Sequence, residues 1–416
     1  MTTKKSEQPV SRREFIQRSL VASASVGTTL AAGVTHAEQP KESDFLKIDP
    51  WTKTQRQNFP NPTYGVPSPF EKKVTRETYN NGSKTPLQKL HGIITPNGLH
   101  FERHHGGIPE INPDLHRLVI HGLVDRPMIF TMNDIVRFPA ISQINFLECS
   151  GNTWAELKKR TWATVQETHG LLSCCEWTGV RLSTLLDQCG IKPEAKWVLA
   201  EGADSAAMTR SIPIDKAMND VIVAYSQNGE MLRPEQGYPL RLFIPGFEGN
   251  MSIKWLRRLK LGAEPWNTRE ETSAYTDLGA DGKALQFTFT MGVKSVITSP
   301  SAVMKLNGPG FYEISGIAWT GSGKIRRVEV SVDGGKSWDE ATLQEPVLDK
   351  CLTRFRLPWR WNGENATLLS RATDSTGDVQ PTLDSVLKAR SSNAFYHNNA
   401  IQPWLVAANG EVSNAR

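Results

Sequence analysis

Between residues 87 and 265, apolar runs of three to five residues alternate with polar, turn-rich stretches. Leu118-Val119-Ile120, 144–147, Trp197-Val198-Leu199, Val221-Ile222-Val223 and 240–244 predict strands, and 131–135 and 182–186 predict short helices. Their irregular order predicts an α+β fold around a mixed sheet, not a strict βαβ alternation. The texture changes after Gly279-Ala280-Asp281-Gly282. Val328, Val330 and Val332 alternate with Glu329 and Ser331, and Asp333-Gly334-Gly335 turns the chain into Lys336-Ser337-Trp338, a hairpin pattern. With further strands expected at 353–357 and 367–372, residues 285–390 read as a small antiparallel β-sandwich, Ig-like in general form. The sequence contains no internal repeat.

The flanks read differently. Residues 38–86 hold seven prolines and little sustained apolar sequence, which predicts an extended arm. Residues 266–284 read as a linker, and the polar stretch 391–416 as irregular coil. At the N-terminus, Ser11-Arg12-Arg13-Glu14-Phe15-Ile16-Gln17 is a twin-arginine pattern. A weakly apolar run and Thr35-His36-Ala37 follow, so residues 1–37 read as a twin-arginine export signal into the periplasm. The run is too rich in Ser, Thr and Gly for a membrane span. Such export carries folded, often cofactor-loaded proteins.

Composition adds limits more than leads. With 38% hydrophobic and 22% charged residues in 416, the chain is globular and long enough for two or three domains. The net charge of +5 owes much to residues 1–37; the remainder carries 43 basic against 41 acidic side chains, too even a balance to imply nucleic acid or a membrane surface as partner. Five cysteines is an odd number, so at least one thiol stays free unless chains are bridged. Cys174 and Cys175 read as core or redox-inert thiols, and Cys189 and Cys351 as singly buried ones. No Cys-x-x-Cys-His occurs, so this chain offers no c-type haem attachment.

Candidate chemistry gathers at three places. Cys149 ends an apolar run and is followed by Ser150-Gly151-Asn152, where a side chain can point into a site made by loops; alone, it reads more readily as a buried structural cysteine. Phe101-Glu102-Arg103-His104-His105 collects potential cations suited to an oxyanion. Gly237-Tyr238-Pro239-Leu240-Arg241 and the loop Gly249 to Lys254 offer backbone donors and charge for a phosphate.

In this order and spacing, Arg103-His104-His105, Glu148-Cys149-Ser150-Gly151-Asn152, Glu176-Trp177-Thr178-Gly179-Val180-Arg181-Leu182, Gly237-Tyr238-Pro239-Leu240-Arg241 and Ser252-Ile253-Lys254-Trp255-Leu256 resemble the sulfite oxidase family of molybdopterin enzymes. The resemblance implies a molybdopterin-binding catalytic domain at 87–265 and a dimerisation domain at 285–390. It implies that Cys149 ligates molybdenum, that Phe101, Glu102, Arg103, His104 and His105 line the pterin and the substrate entrance, and that Asp204 contacts the pterin. Arg241, Ser252, Ile253 and Lys254 match contacts to the cofactor's phosphate end. Gln236 falls where the family has a histidine contact. Tyr275 matches the tyrosine beside the metal, across a stretch that aligns poorly. Arg103, with His105, would stabilise charge developing on a sulfur oxyanion.

Within the family the likeness is greatest to molybdenum subunits of sulfane dehydrogenases, carried by Gly249 to Arg258, Gly310 to Gly316 and Phe355 to Trp361. That implies oxidation of sulfane sulfur held as a persulfide on the sulfur-carrier protein of the thiosulfate-oxidising Sox system. It also implies a dihaem cytochrome c subunit as electron acceptor and a homodimer within a heterotetramer. Where sulfite oxidases place a pair of arginines after the asparagine, this chain has Thr153-Trp154, which weakens a pocket for free sulfite. Other readings are a sulfite dehydrogenase with a cytochrome c acceptor, a sulfoxide reductase, and a scaffold protein with a dead pterin site. Trp319, Trp338, Trp359 and Trp361 are candidates for a dimer-interface core.

Overall fold

The computed structural model describes residues 50–53, 67–158, 163–391 and 394–416. The export signal expected at 1–37 and much of the arm at 38–86 lie outside these. Within the arm, Glu77–Tyr79 and Gly82–Lys84 form a hairpin, and Glu102–Arg103 adds a third strand to it. Gly82 lies directly opposite Arg103; a Cβ there would run into the Glu102 carbonyl oxygen, so only glycine lets this edge close.

Two five-stranded sheets follow. The first is antiparallel: Glu230–Met231, Ile222–Gln227, Leu172–Arg181 and Ala140–Glu148 lie side by side, and Arg241–Phe243 also pairs with Ile222–Gln227. The second runs Met128–Thr131, Arg117–Gly122, Leu256–Gly262, Trp197–Gly202, Thr209–Pro213. It is mixed because Arg117–Gly122 and Leu256–Gly262 are parallel. Each apolar run read as a strand in this region falls in one of these. The helix expected at 131–135 is Met132–Ile135, opened by a capping box in which Thr131 and Asp134 satisfy each other's backbone N–H. The one expected at 182–186 is Leu182–Cys189, with Leu182, Leu185 and Leu186 packed inward. Mixed sheets with few helices make this an α+β fold.

The C-terminal part is a sandwich of two antiparallel sheets. One orders Lys294–Ser299, Gly310–Trp319, Thr353–Trp361 and Thr342–Gln344; the other orders Asp339–Glu340, Ile325–Ser331, Ala366–Asp374, Trp404–Val406 and Val412–Asn414. The hairpin read from Asp333-Gly334-Gly335 pairs Glu329 with Glu340 and Val330 with Asp339. Asp333 Oδ1 accepts from the Lys336 and Ser337 backbone N–H groups and pins the turn. The polar tail is not coil throughout. It supplies two strands of the second sheet, because Trp404 and Val406, two positions apart, and Val412, paired with Val406, bury one face. Leu383–Arg390 forms a helix that the sequence reading did not separate from the strands.

The cores are not divided at the linker. One apolar cluster joins Phe146, Leu172 and Cys174 of the first sheet to Val296, Trp319 and Phe355 of the sandwich. Three of the four tryptophans considered for an interface, Trp319, Trp359 and Trp361, are buried in this core and unavailable to a partner. Trp338 is half-buried beneath Arg371, whose guanidinium lies 4.3 Å from its ring. Cys351 is not isolated either: its Sγ is 3.4 Å from that of Cys174. All five cysteines are free thiols. No described helix is long and apolar enough to cross a membrane.

Candidate active site

Cys149 follows the last residue of Ala140–Glu148, and its thiol opens into a cavity of about 680 Å3, mouth included. The turn after it is fixed by Asn152, whose backbone N–H donates to the Cys149 carbonyl at 2.9 Å. The Asn152 amide donates to Glu148 Oε1 at 2.9 Å and to the His169 carbonyl at 3.1 Å, and its Oδ1 accepts from the Leu171 N–H. Burial pushes the Cys149 thiol up, opposed by the Gly151 N–H and the Arg103 charge. Gly249 passes close behind: a Cβ there would meet the Glu148 carbonyl oxygen at 2.8 Å, so a side chain would push the loop off the thiol.

Twelve of the thirteen residues singled out from the sequence line this one cavity: Cys149, Phe101, Arg103, His104, His105, Asp204, Gln236, Arg241, Ser252, Ile253, Lys254 and Tyr275. Glu102 does not. Neighbouring residues on a strand face opposite ways, and Glu102 pairs instead with Arg76 and, at 3.0 Å, with His104 Nε2. Its part is to hold His104. The other His104 nitrogen, Nδ1, accepts from Lys254 Nζ at 2.8 Å. Burial, then Lys254, holds that imidazole far below the usual histidine range.

At the inner end, Arg241 is fully buried and pushed down to about 9 by that burial. It donates to the Gln236 carbonyl at 3.0 Å and the Ser252 carbonyl at 3.1 Å, and lies 4.8 Å over the Trp177 ring. Among the described residues its Nε has no hydrogen-bond partner. Lys254 donates to the Arg103 and Glu235 carbonyls at 3.2 and 3.0 Å; burial, then Arg241, pushes its ammonium well down. Gln236 donates to the Phe101 carbonyl at 3.0 Å. Burial raises Asp204, and Lys254 opposes that rise.

At the mouth, Tyr275 donates its hydroxyl to His105 Nε2 at 3.0 Å. Burial first, then the Cys149 charge, raises the Tyr275 phenol well above its ordinary range. Desolvation, then Arg103, pushes His105 down to about 4. At neutral pH the pair is a protonated phenol facing a neutral imidazole. Trp154 lies outside the cavity, stacked on Phe395 with centroids 4.8 Å apart.

Several contributors escaped the sequence reading. Six more residues complete the lining: Leu147, Gly249, Asn250 and Trp255 from segments already singled out, and His100 and Met208, which the sequence did not mark. The tail returns to the site: the His397 N–H donates to the Ser150 carbonyl at 2.8 Å, and Tyr396 packs on Tyr275. Beneath them lies a buried network of Arg210, Glu248 and His397. The only signal was polarity in a segment that otherwise read as coil, and polarity does not say where a chain packs.

An anionic pterin suits this donor set. Three cations, Arg103, Arg241 and Lys254, face the cavity, against the single carboxylate of Asp204 among its lining residues, and among the described residues Arg241 Nε is a buried donor without an acceptor. Among the described residues no three His, Cys, Asp or Glu side chains converge as a metal site. A soft metal would find in Cys149 a thiolate donor of matching character.

Two histidines carry a stability consequence. Burial pushes His100 down to about 3 and His116 to about 4. Each uses one ring nitrogen, to the Phe101 and Leu256 carbonyls, and the other is buried with no partner among the described residues. Below pH 6.5 the unfolded chain binds protons that the folded one refuses, so stability falls as pH drops. At pH 5 the loss is about 2 kcal/mol per histidine. Calorimetric Tm should therefore be clearly lower at pH 5 than at pH 7.5; an unchanged Tm would contradict this.

Comparison with known proteins bears on the same residues. The family model of the oxidoreductase molybdopterin binding domain matches residues 105–270, and that of the Mo-co oxidoreductase dimerisation domain matches 286–403. A solved structure of the sulfane dehydrogenase SoxCD from Paracoccus pantotrophus is similar, with 45% identity and a TM-score of 0.83, over 91% of this chain and 99% of that one. Nitrate reductases are also similar: that of Solanum lycopersicum at 33% identity over 72% of this chain, and that of Cichorium intybus at 34% over 72%. The chain spans 37% of the length of each of these two reductases.

Proposed function

We propose that this chain, which belongs to the sulfite oxidase family of molybdenum oxidoreductases, oxidises sulfane sulfur presented as a persulfide on a carrier protein. It works in the periplasm and passes electrons to a c-type cytochrome subunit. Each step adds one oxygen atom from water to the terminal sulfur, releasing two protons and two electrons. Molybdenum on its pterin, when bound, supplies the two-electron change and the oxygen transfer. Cys149 would ligate the metal, while Arg241, Ser252, Ile253 and Lys254 would hold the pterin's phosphate end, with Gln236 and Asp204 beside them.

The chain's own residues do the rest. Arg103 offers a charged fork to the oxyanion growing on the sulfur. His105 is neutral and its Nε2 accepts the Tyr275 hydroxyl hydrogen bond, so the pair holds that phenol protonated and oriented at the mouth. The observation that carries the substrate reading is position 154. Sulfite oxidases put a cation there; this chain puts Trp154 and covers it with Phe395. A small dianion loses a partner, whereas a thiol-bound sulfur carries less charge to match. The test is cytochrome reduction with carrier persulfide against free sulfite, in protein of known molybdenum content.

The chain carries the dimerisation domain of its family, and the proposal includes a homodimer within a complex with the cytochrome. Since most of the tryptophans are internal, the interface must use outward residues such as Phe311, 69% exposed on Gly310–Trp319. Sedimentation at micromolar concentration should show a dimer. A lone monomer with cofactor bound would remove this part.

A further inference from the structure

Glu148, immediately before the thiol, is a fully buried carboxylate. Both its oxygens are engaged. Oε1 accepts from Lys294 Nζ at 3.1 Å and Asn152 Nδ2 at 2.9 Å, and Oε2 accepts from Trp319 Nε1 at 2.7 Å. Lys294 and Trp319 are directly paired across adjacent strands of the sandwich. Lys294 is itself buried, and its ammonium also donates to Thr153 Oγ1 at 2.8 Å. Thr153 sits at φ 64°, a left-handed conformation that a non-glycine residue keeps only when its surroundings hold it. One ammonium from the C-terminal sandwich therefore bonds both ends of the loop 148–153, and Cys149 lies between those ends.

We propose that Lys294, supported by Trp319, is the positioning residue for the Cys149 sulfur. The C-terminal sandwich thus completes the catalytic loop, whatever it does in pairing subunits. A buried carboxylate deprived of its cation is not tolerated in place: it must find water or move. Glu148 can move only by dragging the strand end that carries Cys149. Otherwise the thiol's position is held locally by the Cys149 N–H to the Leu171 carbonyl and by the Asn152 turn. The inference rests on Cys149 as the molybdenum ligand and is independent of which sulfur compound is oxidised.

The test uses full-length, cofactor-loaded protein. Lys294→Met, Trp319→Phe and the double variant Glu148→Gln/Lys294→Met are compared with the parent. Three readouts are taken: the sulfur-to-metal charge-transfer absorption per bound molybdenum, Tm, and the rate at which iodoacetamide alkylates Cys149 after the cofactor is stripped. Lys294→Met should shift or weaken the absorption band and change the alkylation rate about tenfold, the scale of a lost outer-shell partner. Trp319→Phe should do the same more weakly. The double variant, with neither buried charge left, should return towards the parent in both, even where Tm stays low. If Lys294→Met does not fold, Trp319→Phe and the double variant decide. A parental band and an alkylation rate within about twofold of the parent in the folded variants would overturn the proposal, whatever Tm does. Retention of the band in Cys149→Ser would instead overturn the ligand assignment itself, a separate result.

Discussion

Replacing Cys149 with serine should abolish turnover while leaving a folded protein that still binds the pterin. The thiol lies at the end of a strand whose position is fixed by Asn152, Glu148 and the sandwich, none of which needs the sulfur atom. Serine is smaller, so it makes no clash. The pterin is expected to be held chiefly from the other end, by Arg241 and the 252–254 loop. What disappears is a soft, readily ionised donor, and a hydroxyl is harder and much less acidic. Loss of an outer-shell partner of a metal costs about 10–100-fold, so loss of the ligand should exceed ~100-fold in kcat. Molybdenum and pterin content, measured beside steady-state rates, check this. A serine variant with full activity would show that Cys149 is not the ligand.

The second large effect concerns substrate. With the haem partner present, carrier-bound persulfide should reduce the cytochrome rapidly and free sulfite slowly or not at all. The preference should respond to position 154. Trp154 lies outside the cavity, so Trp154→Arg adds a nearby charge and no direct contact; it should raise kcat/KM for sulfite about fivefold, the worth of roughly 1 kcal/mol of attraction, and less at high salt. The same change removes the stack on Phe395, so persulfide turnover should fall or stay level, not rise. Efficient turnover of sulfite by the unaltered protein, with none of the carrier persulfide, would make the chain a sulfite dehydrogenase. Tyr275 and His105 serve either substrate, so variants there cannot decide the question.

Much of this was legible in the sequence because the governing signals are local. A strand that ends in Glu-Cys-Ser-Gly-Asn, or a hairpin turned by Asp-Gly-Gly, is specified by a few adjacent residues. Five of the ten strands of the two sheets announced themselves by apolar runs, whereas Met128–Thr131, Leu172–Arg181, Thr209–Pro213, Glu230–Met231 and Leu256–Gly262 did not; twelve cavity-lining residues lay in the segments singled out. What failed was long-range. Glu102 stood in the right segment but on the wrong face of a two-residue strand. The tail read as coil because Asn393, Asn398 and Asn399 suggest it, yet Asn398 exchanges hydrogen bonds with Thr153 across the fold. Cys351 read as solitary because its neighbour, Cys174, is 177 positions away. The tryptophans misled for a related reason: aromatic content marks both cores and interfaces, and only burial separates them.

The apolar cluster that runs unbroken from Phe146 and Cys174 into Val296 and Phe355 bears on how such a protein can change over evolutionary time. Two modules joined by a linker can be shuffled, each taking new neighbours with little loss. Two modules that share part of a core cannot do so freely, because exchanging one uncovers Leu87, Phe146, Val165, Leu172 and Cys174 of the other. Lineages of this architecture should therefore inherit both parts together and drift as one. Novelty should come from the rim, at positions such as Trp154 and Phe395, where a side chain can be replaced without disturbing what lies beneath.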